Sequence, residues 1–397
     1  MLSSSLPARK GLDVKKLLGF AGKDREFLVL VIVTLLVTAV LYAQLGNRLF
    51  SIGGLQSMSI QVSEFGFLAL AMGLAILTGG IDLSVVAAAG LSGVVAALVM
   101  SGQFIPATDE NQAMLFVLGI VAALVTGLLT GLTNGIIIAK FSVPPILATL
   151  GTMILFTGIG MAVTSGNSIP LQVTAFPEIV RTTVGPVPMV FLIMAVAYIA
   201  VAFILTRTTF GRRVYLFGEN DVALRFSGVK SERVIIMTYA LIGILVGLAA
   251  IVIISRANSM RVGFGESYLL QAILVVVLAG FNPFGGKGRV ASLFIGLVLL
   301  QLLSSSMTAF AFSPYAKNLV WGLILLAVMA LNHYARVYRP KTRKAVGSAA
   351  PDGPGGSAAS GGHAGGDGGS GDGSDAEGSA AADSSAPPTV ASPGSRR

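Results

Sequence analysis

Asp82 stands where an acid is costly. It follows the two glycines of ILTGGIDLSV at 76–85, after one apolar run ends and as the next, 83–101, begins. A carboxylate at membrane depth usually faces protein or a water-filled cavity and has a partner. Two chemistries fit it. It can hold a cation or a proton, or it can cap a helix beginning near Leu83, whose first N–H groups lack partners and whose dipole is positive there. The two are compatible.

The other polar groups inside apolar stretches are Thr78, Ser84, Asn134, Thr149, Thr152, Gln271 and Gln301. All are neutral donors and acceptors, and no basic pair suited to an anion accompanies them, so a lining made of them suits a neutral polar solute. Each position serves equally well for hydrogen bonding between helices. The candidate gate and pathway residues are therefore Gly79, Gly80, Asp82, Ser84, Asn134, Thr149, Gln271 and Gln301. Glu64 and Glu266 are placed near the ends of apolar stretches, which leaves Asp82 as the acid well separated from a loop.

Other chemistries have no residues to carry them. The chain has no cysteine, and its only histidines are His333 and His363. Thiolate metal sites and disulfides are excluded, and a histidine-based metal site or triad lacks ligands. GFNPFGGKG at 280–288 is glycine-rich, but Lys287 is followed by Gly288 where a P-loop needs Ser or Thr. There is no H-E-x-x-H and no nucleophile elbow. The chain is expected to be no enzyme and to carry no cofactor or metal. If ATP drives it, another chain hydrolyses that ATP.

The elements that must position these residues are read from composition and hydropathy. Hydrophobic residues make up 54% of the chain and charged residues 11%, and the mean hydropathy is +0.82. Apolar runs near span length recur from 27 to 332, which predicts an all-α polytopic membrane protein. Ten spans are expected near 27–45, 62–77, 83–101, 113–139, 146–164, 187–206, 235–255, 267–280, 290–308 and 316–332. Two of them, 62–77 and 267–280, are short for a hydrocarbon core of about 30 Å. The first run is longer than the apolar core of a signal peptide and no A-x-A-like site follows, so it is expected to be retained.

Charge gives the orientation. With the N-terminus in the cytoplasm and sides alternating, 22 of the 27 lysines and arginines fall inside, as the positive-inside rule requires. Both termini are then cytoplasmic. The net charge of +9 is explained by these loops, with membrane lipid and no nucleic acid as the partner. The expected organisation is a basic N-terminus at 1–26, a transmembrane region at 27–335 and a Gly/Ser/Ala-rich tail at 346–397. That tail cannot bury enough apolar surface to offset its ordering entropy, so disorder is expected.

Within the transmembrane region, Gly119, Ala123, Gly127, Gly131 and Gly135 recur every four residues, and Gly243 and Gly247 repeat the pattern once. Such a ridge lets helices approach closely. Between spans, 207–234 is the longest charged cytoplasmic loop. Residues 218–228 read there as a turn, a short helix capped by Asn220, and a stop at Gly228.

These features together resemble a known family. ILTGGIDLSV at 76–85 is similar to the signature of permease subunits of ribose- and xylose-type ABC importers. TNGIIIAKFSVPPILATLGTMILFTGIG at 133–160, TTFGRRVYLFGEN at 208–220, SGV at 227–229, FGGKGRV at 284–290 and GLILLAVMAL at 322–331 match in order. The resemblance covers about residues 60–335. It implies a multi-pass permease of a prokaryotic plasma (inner) membrane that moves a monosaccharide or related solute by alternating access. It further implies a second permease (the same chain or a paralogue), an ATP-binding subunit in the cytoplasm and an extracytoplasmic sugar-binding protein. The 207–234 loop would be the coupling loop, with Asn220, Ala223 and Gly228 at matching positions. Glu219 and Asp221 are acids placed, on charge alone, to meet basic groups of the ATPase.

The sequence departs from that family in places. Ala223-Leu224 stands where two alanines are usual. Ala279 to Pro283 replaces a G-G-T-S stretch, and Glu266 is a loose counterpart of an acid near the eighth span. An ion-coupled secondary transporter using Asp82 is the alternative, since broken spans and an intramembrane acid mark that class too.

Overall fold

A computed structural model describes residues 25–337. The 346–397 tail and all but the last two residues of the 1–26 segment lie outside the described residues. The described chain is helical, as a backbone surrounded by lipid must satisfy its polar groups within each segment. Its helices are α1 (Arg25–Leu45), α2 (Asn47–Phe50), α3 (Ile52–Leu77), α4 (Val85–Met100), α5 (Gln112–Lys140), α6 (Pro145–Thr164), α7 (Glu178–Arg181), α8 (Met189–Arg207), α9 (Thr209–Glu219), α10 (Asp221–Phe226), α11 (Ser231–Ala257), α12 (Glu266–Leu278), α13 (Val290–Ala309) and α14 (Pro314–Val337). Seven of these are long and apolar enough to cross a membrane: α1, α3, α5, α6, α8, α11 and α13. Three shorter apolar helices, Val85–Met100, Glu266–Leu278 and Pro314–Ala330, occupy the other predicted places.

At the centre is α3, buried continuously from Val62 to Leu77. It packs on α8, α11, α12 and α13, while α5 lies along α11 and α4, and α6 rests on α4. The glycine ridge of α5 meets α11 backbone to backbone. A Cβ on Gly127 would strike the Gly243 carbonyl, and one on Gly131 would strike that of Tyr239.

One predicted boundary is corrected. The span expected at 62–77 begins at Ile52 and is 26 residues long, so it is not short. Ser57, Ser59, Gln61, Ser63 and Glu64 lower its hydropathy, but the helix absorbs them. Ser59 Oγ donates to Leu55 O at 2.8 Å and Ser63 Oγ to Ser59 O at 2.7 Å. Glu64, expected near a span end, therefore sits in mid-helix and is fully buried. By contrast α4, with 16 residues, and α12, with 13, reach only about 24 and 20 Å at 1.5 Å per residue.

The segment between α6 and α8 covers one end of the bundle. Its strand β1 (Ile169–Pro170) pairs antiparallel with β4 (Ser259–Met260), which follows α11. A two-residue hairpin joins β2 (Thr183–Val184) to β3 (Val187–Pro188). Phe176 is fully buried there, and Ser255 Oγ donates to its carbonyl at 2.8 Å.

Candidate functional site

The site is built on the break between α3 and α4. α3 ends in a left-handed turn: Gly79 has φ +80°, its N–H donates to Ile76 O, and that of Gly80 to Ala75 O. This pair of bonds is a Schellman motif, which glycine adopts without a Cβ penalty. Gly80 is required sterically as well, because a Cβ there would lie 2.5 Å from Pro145 Cβ at the start of α6.

Asp82 is buried just past this turn. Its Oδ1 accepts from Ser84 N at 2.9 Å and from Ser84 Oγ at 2.7 Å. This corrects the expected cap in one detail. Ser84, with no side-chain cap bond of its own, occupies the N-cap position of α4. Asp82 closes an Asx turn one step before the helix. Asn134 Nδ2 of α5 donates to Ser84 Oγ at 2.7 Å, and Thr152 Oγ1 of α6 donates to Asn134 Oδ1 at 2.7 Å. Thr149 Oγ1 accepts from Leu83 N at 3.1 Å and donates to Ile81 O at 3.2 Å. Asp82, Ser84, Asn134 and Thr149 are thus brought together, with Thr152, into one buried network that pins the break to α5 and α6. Thr78 Oγ1 instead donates back to Ala75 O at 2.7 Å.

Two pathway candidates lie elsewhere. Gln301 on α13 donates to Ser305 Oγ at 2.9 Å and to Gln61 Oε1 at 3.3 Å. Gln61 precedes the end of α3 by 16 residues, so this contact is about 24 Å along the helix from the break. Gln271 is half-buried on α12, one turn beyond Tyr268, and no hydrogen bond of the network reaches it.

Three charged or aromatic residues form a second polar cluster that the sequence reading missed. Glu64 Oε2 accepts from Arg256 Nη1 at the end of α11 and, at 2.7 Å, from Tyr268 Oη of α12. The pair is separated by 192 residues, so no local pattern announces it. The available signal was an arginine closing one apolar run and an acid inside another. Near the break, the Tyr239 hydroxyl of α11 is buried without a hydrogen-bond partner among the described residues, and a Cβ on Gly80 would lie 3.8 Å from it.

The 207–234 loop folds as α9 and α10. Thr208 caps α9 through Gly211 N at 3.1 Å, and Asn220 caps α10 through Ala223 N at 2.9 Å. Glu219 is exposed at the end of α9, Asp221 pairs with Arg225 at 3.5 Å, and Gly228 has φ +78°. Tyr215 Oη donates to Gly288 O at 2.9 Å. Burial pushes the Tyr215 hydroxyl above its ordinary pKa, against the opposing pull of Arg289, so it stays a donor.

Two cavities flank the break. One, of about 480 Å³, lies between Thr78-Gly79, Pro144-Pro145 and the Gly218–Asp221 stretch, so it touches both the break and the 207–234 loop. Another of about 480 Å³ lies between α4, α6 and the turn before α12, with Gly90, Met153, Gly158 and Val262 on its walls. Glu266, exposed at the start of α12, is its one acid. The arrangement offers breaks, cavities and neutral hydrogen-bonding groups, which is what passage of a polar solute needs.

Known proteins agree with that reading. A family model described as "Branched-chain amino acid transport system / permease component" matches residues 54–329. The ribose import permease of Bacillus subtilis (strain 168) is 36% identical over 274 residues, covering 68% of this chain and 82% of that protein. The ribose import permease of Escherichia coli (strain K12) is 33% identical over 307 residues, 76% of this chain and 92% of that protein. The L-arabinose transport system permease protein of Escherichia coli (strain K12) is 29% identical over 280 residues, 70% and 82%. No solved structure gives a significant match. The family description names amino acids, whereas these relatives are named for sugars. On the family model and the ribose permeases together, the chain belongs to the family of ribose-type monosaccharide permeases of ABC importers.

Proposed function

We propose that this chain is the membrane-spanning subunit of an importer for a monosaccharide in a prokaryotic plasma (inner) membrane. It carries ten spans with both termini in the cytoplasm and works as a pair, with a second copy or a paralogue. A partner ATPase docks on the 207–234 loop through Glu219, Asn220, Asp221, Ala223 and Gly228, and a binding protein delivers the sugar outside. The chain itself binds no cofactor. ATP binding and hydrolysis in the partner switch the access side, and the break at Gly79–Ser84 is the part that rearranges. The single observation carrying this reading is the extent of the match to the ribose import permeases, which reaches 92% of one relative's length. Neutral polar groups around the break support a sugar over an ion.

The test is uptake in proteoliposomes holding this chain, its ATPase and its binding protein, with ribose as first substrate. Uptake is expected to require ATP and to ignore sodium and proton gradients. Asp82→Asn is expected to keep uptake within about threefold, since an amide oxygen still accepts from Ser84. Uptake driven by an ion gradient alone, and abolished by Asp82→Asn, would establish the ion-coupled alternative instead.

A further inference from the structure

The glycine-rich loop 280–288 is used by none of the roles above, yet its backbone is wedged into the break. Three chain segments meet there without side chains between them. Gly286 N donates to Leu77 O, the last carbonyl of α3, at 3.0 Å. A Cβ on Gly285 would lie 2.6 Å from Gly218 O and 2.8 Å from Gly79 N. A Cβ on Gly218 would strike Leu77 O and stand 2.5 Å from Gly286 N. On Gly79, a Cβ would come within 3.3 Å of Phe284 O, and on Gly286 within 2.9 Å of Glu219 N. Gly79, Gly285 and Gly286 hold φ of +80°, +92° and +73°, backbone that other residues rarely adopt. Tyr215 supplies a second tie from α9 to this loop through Gly288 O.

Backbone contact of this kind differs from side-chain packing in how it deforms. Side chains change rotamer and let neighbours slide, whereas two main chains in contact, one of them hydrogen-bonded, have no such freedom. A displacement of the end of α9 therefore reaches Leu77 and Gly79 without a compliant layer between. Three residues further on, Asp82 begins the network that runs into α5 and α6.

We propose that Gly79, Gly218, Gly285 and Gly286 form a rigid junction through which the 207–234 loop drives the α3–α4 break, with the 280–288 loop as the link. Gly218 and Tyr215 are positioning residues in this scheme and touch no solute. The inference rests on the transport reading above and adds to it the part that connects ATPase docking to the gate.

The experiment uses the whole complex in proteoliposomes and measures ribose uptake and ATP hydrolysis on the same sample. Gly218→Ala is expected to leave hydrolysis within about twofold of the unaltered complex while the sugar moved per ATP falls at least about tenfold. Tyr215→Phe, which removes only the bond to Gly288, is expected to lower the same ratio about two- to fivefold. A normal ratio in the variants overturns the junction, and so does a proportional fall of both activities, which a purely structural role would give. Should Gly218→Ala not reach the membrane, the Tyr215→Phe ratio decides alone by the same criteria. An unaltered complex that takes up no sugar with ATP overturns the transport reading and the junction with it, a result distinct from working uptake with unchanged ratios.

Discussion

Glu64 and Arg256 are bound to each other but stand in different surroundings. Glu64 has 1% of its side chain exposed, Arg256 43%. Removing either partner thus leaves a very different remainder. Arg256→Met strands a carboxylate in a dry core, and a broken buried pair costs about 3–5 kcal/mol. Glu64→Leu strands a guanidinium that can turn toward solvent, so its expected cost is nearer the roughly 1.5–3 kcal/mol of a lost hydrogen bond to a charged group. The double variant is expected to be more stable than Arg256→Met alone, because no lone charge remains. Thermal unfolding of the purified protein in detergent measures all three, and equal losses in the two single variants would contradict the asymmetry. The sequence made Asp82, Ser84, Asn134 and Thr149 legible because polar groups in apolar runs are scarce, and four such groups have little choice but each other. It hid Glu64 because the surrounding serines and Gln61 read as a loop, while their bonds are satisfied inside the helix.

Among the elements, glycines on neighbouring helices have opposite meanings. Gly131 of α5 is pressed on the Tyr239 carbonyl and lies under Gly243, where a Cβ would meet Cα at 2.8 Å. Gly151 of α6 faces open space, with nothing within 4 Å of a built Cβ. Gly131→Ala must push α5 from α11, and overpacking of this order costs about 1–3 kcal/mol. Gly151→Ala should be neutral or stabilise by up to about 1 kcal/mol, since alanine is the better helix former. Unfolding midpoints of the two variants compare them directly, and a destabilised Gly151→Ala would mean that α6 has a close neighbour on that face. Spacing alone revealed the ridge on α5 and its counterpart at Gly243 and Gly247. It could not tell that Gly218, Gly285 and Gly286 belong together, because their contact is between loops and carries no period.

At the scale of the whole molecule, the positions of the seven long and three shorter apolar helices among the described residues are readable, because each run is bounded by glycine, proline or charge. Their ends are less so. The start of α3 lies ten residues before the expected one, because its polar side chains bond back to their own helix. The proposed orientation has a convenient test because the chain contains no cysteine. Gln103, exposed between α4 and α5, and Val222, exposed on α10, are suitable sites for single cysteines. With both termini inside, Gln103→Cys should react with an impermeant maleimide on intact cells, and Val222→Cys only after permeabilisation. The reverse pattern would invert the topology, and reaction of both on intact cells would break the alternation of spans.

The partnership of Glu64 and Arg256 also has a consequence for how the protein is made. Synthesis at about 5–20 residues per second delivers Arg256 roughly 10–40 s after Glu64, given the 192 residues between them. For all but the start of that interval α3 exists as a finished hydrophobic helix with an acid at its middle, and the arginine that pairs with it is still to come. An acid at the centre of an isolated span opposes entry into lipid by about 2.5–3.5 kcal/mol. The helix that ends at the core of the bundle is therefore among the earliest made and the last able to settle. During biogenesis its acid has to wait beside a proteinaceous or hydrated surface until α11 brings Arg256 and α12 then adds Tyr268.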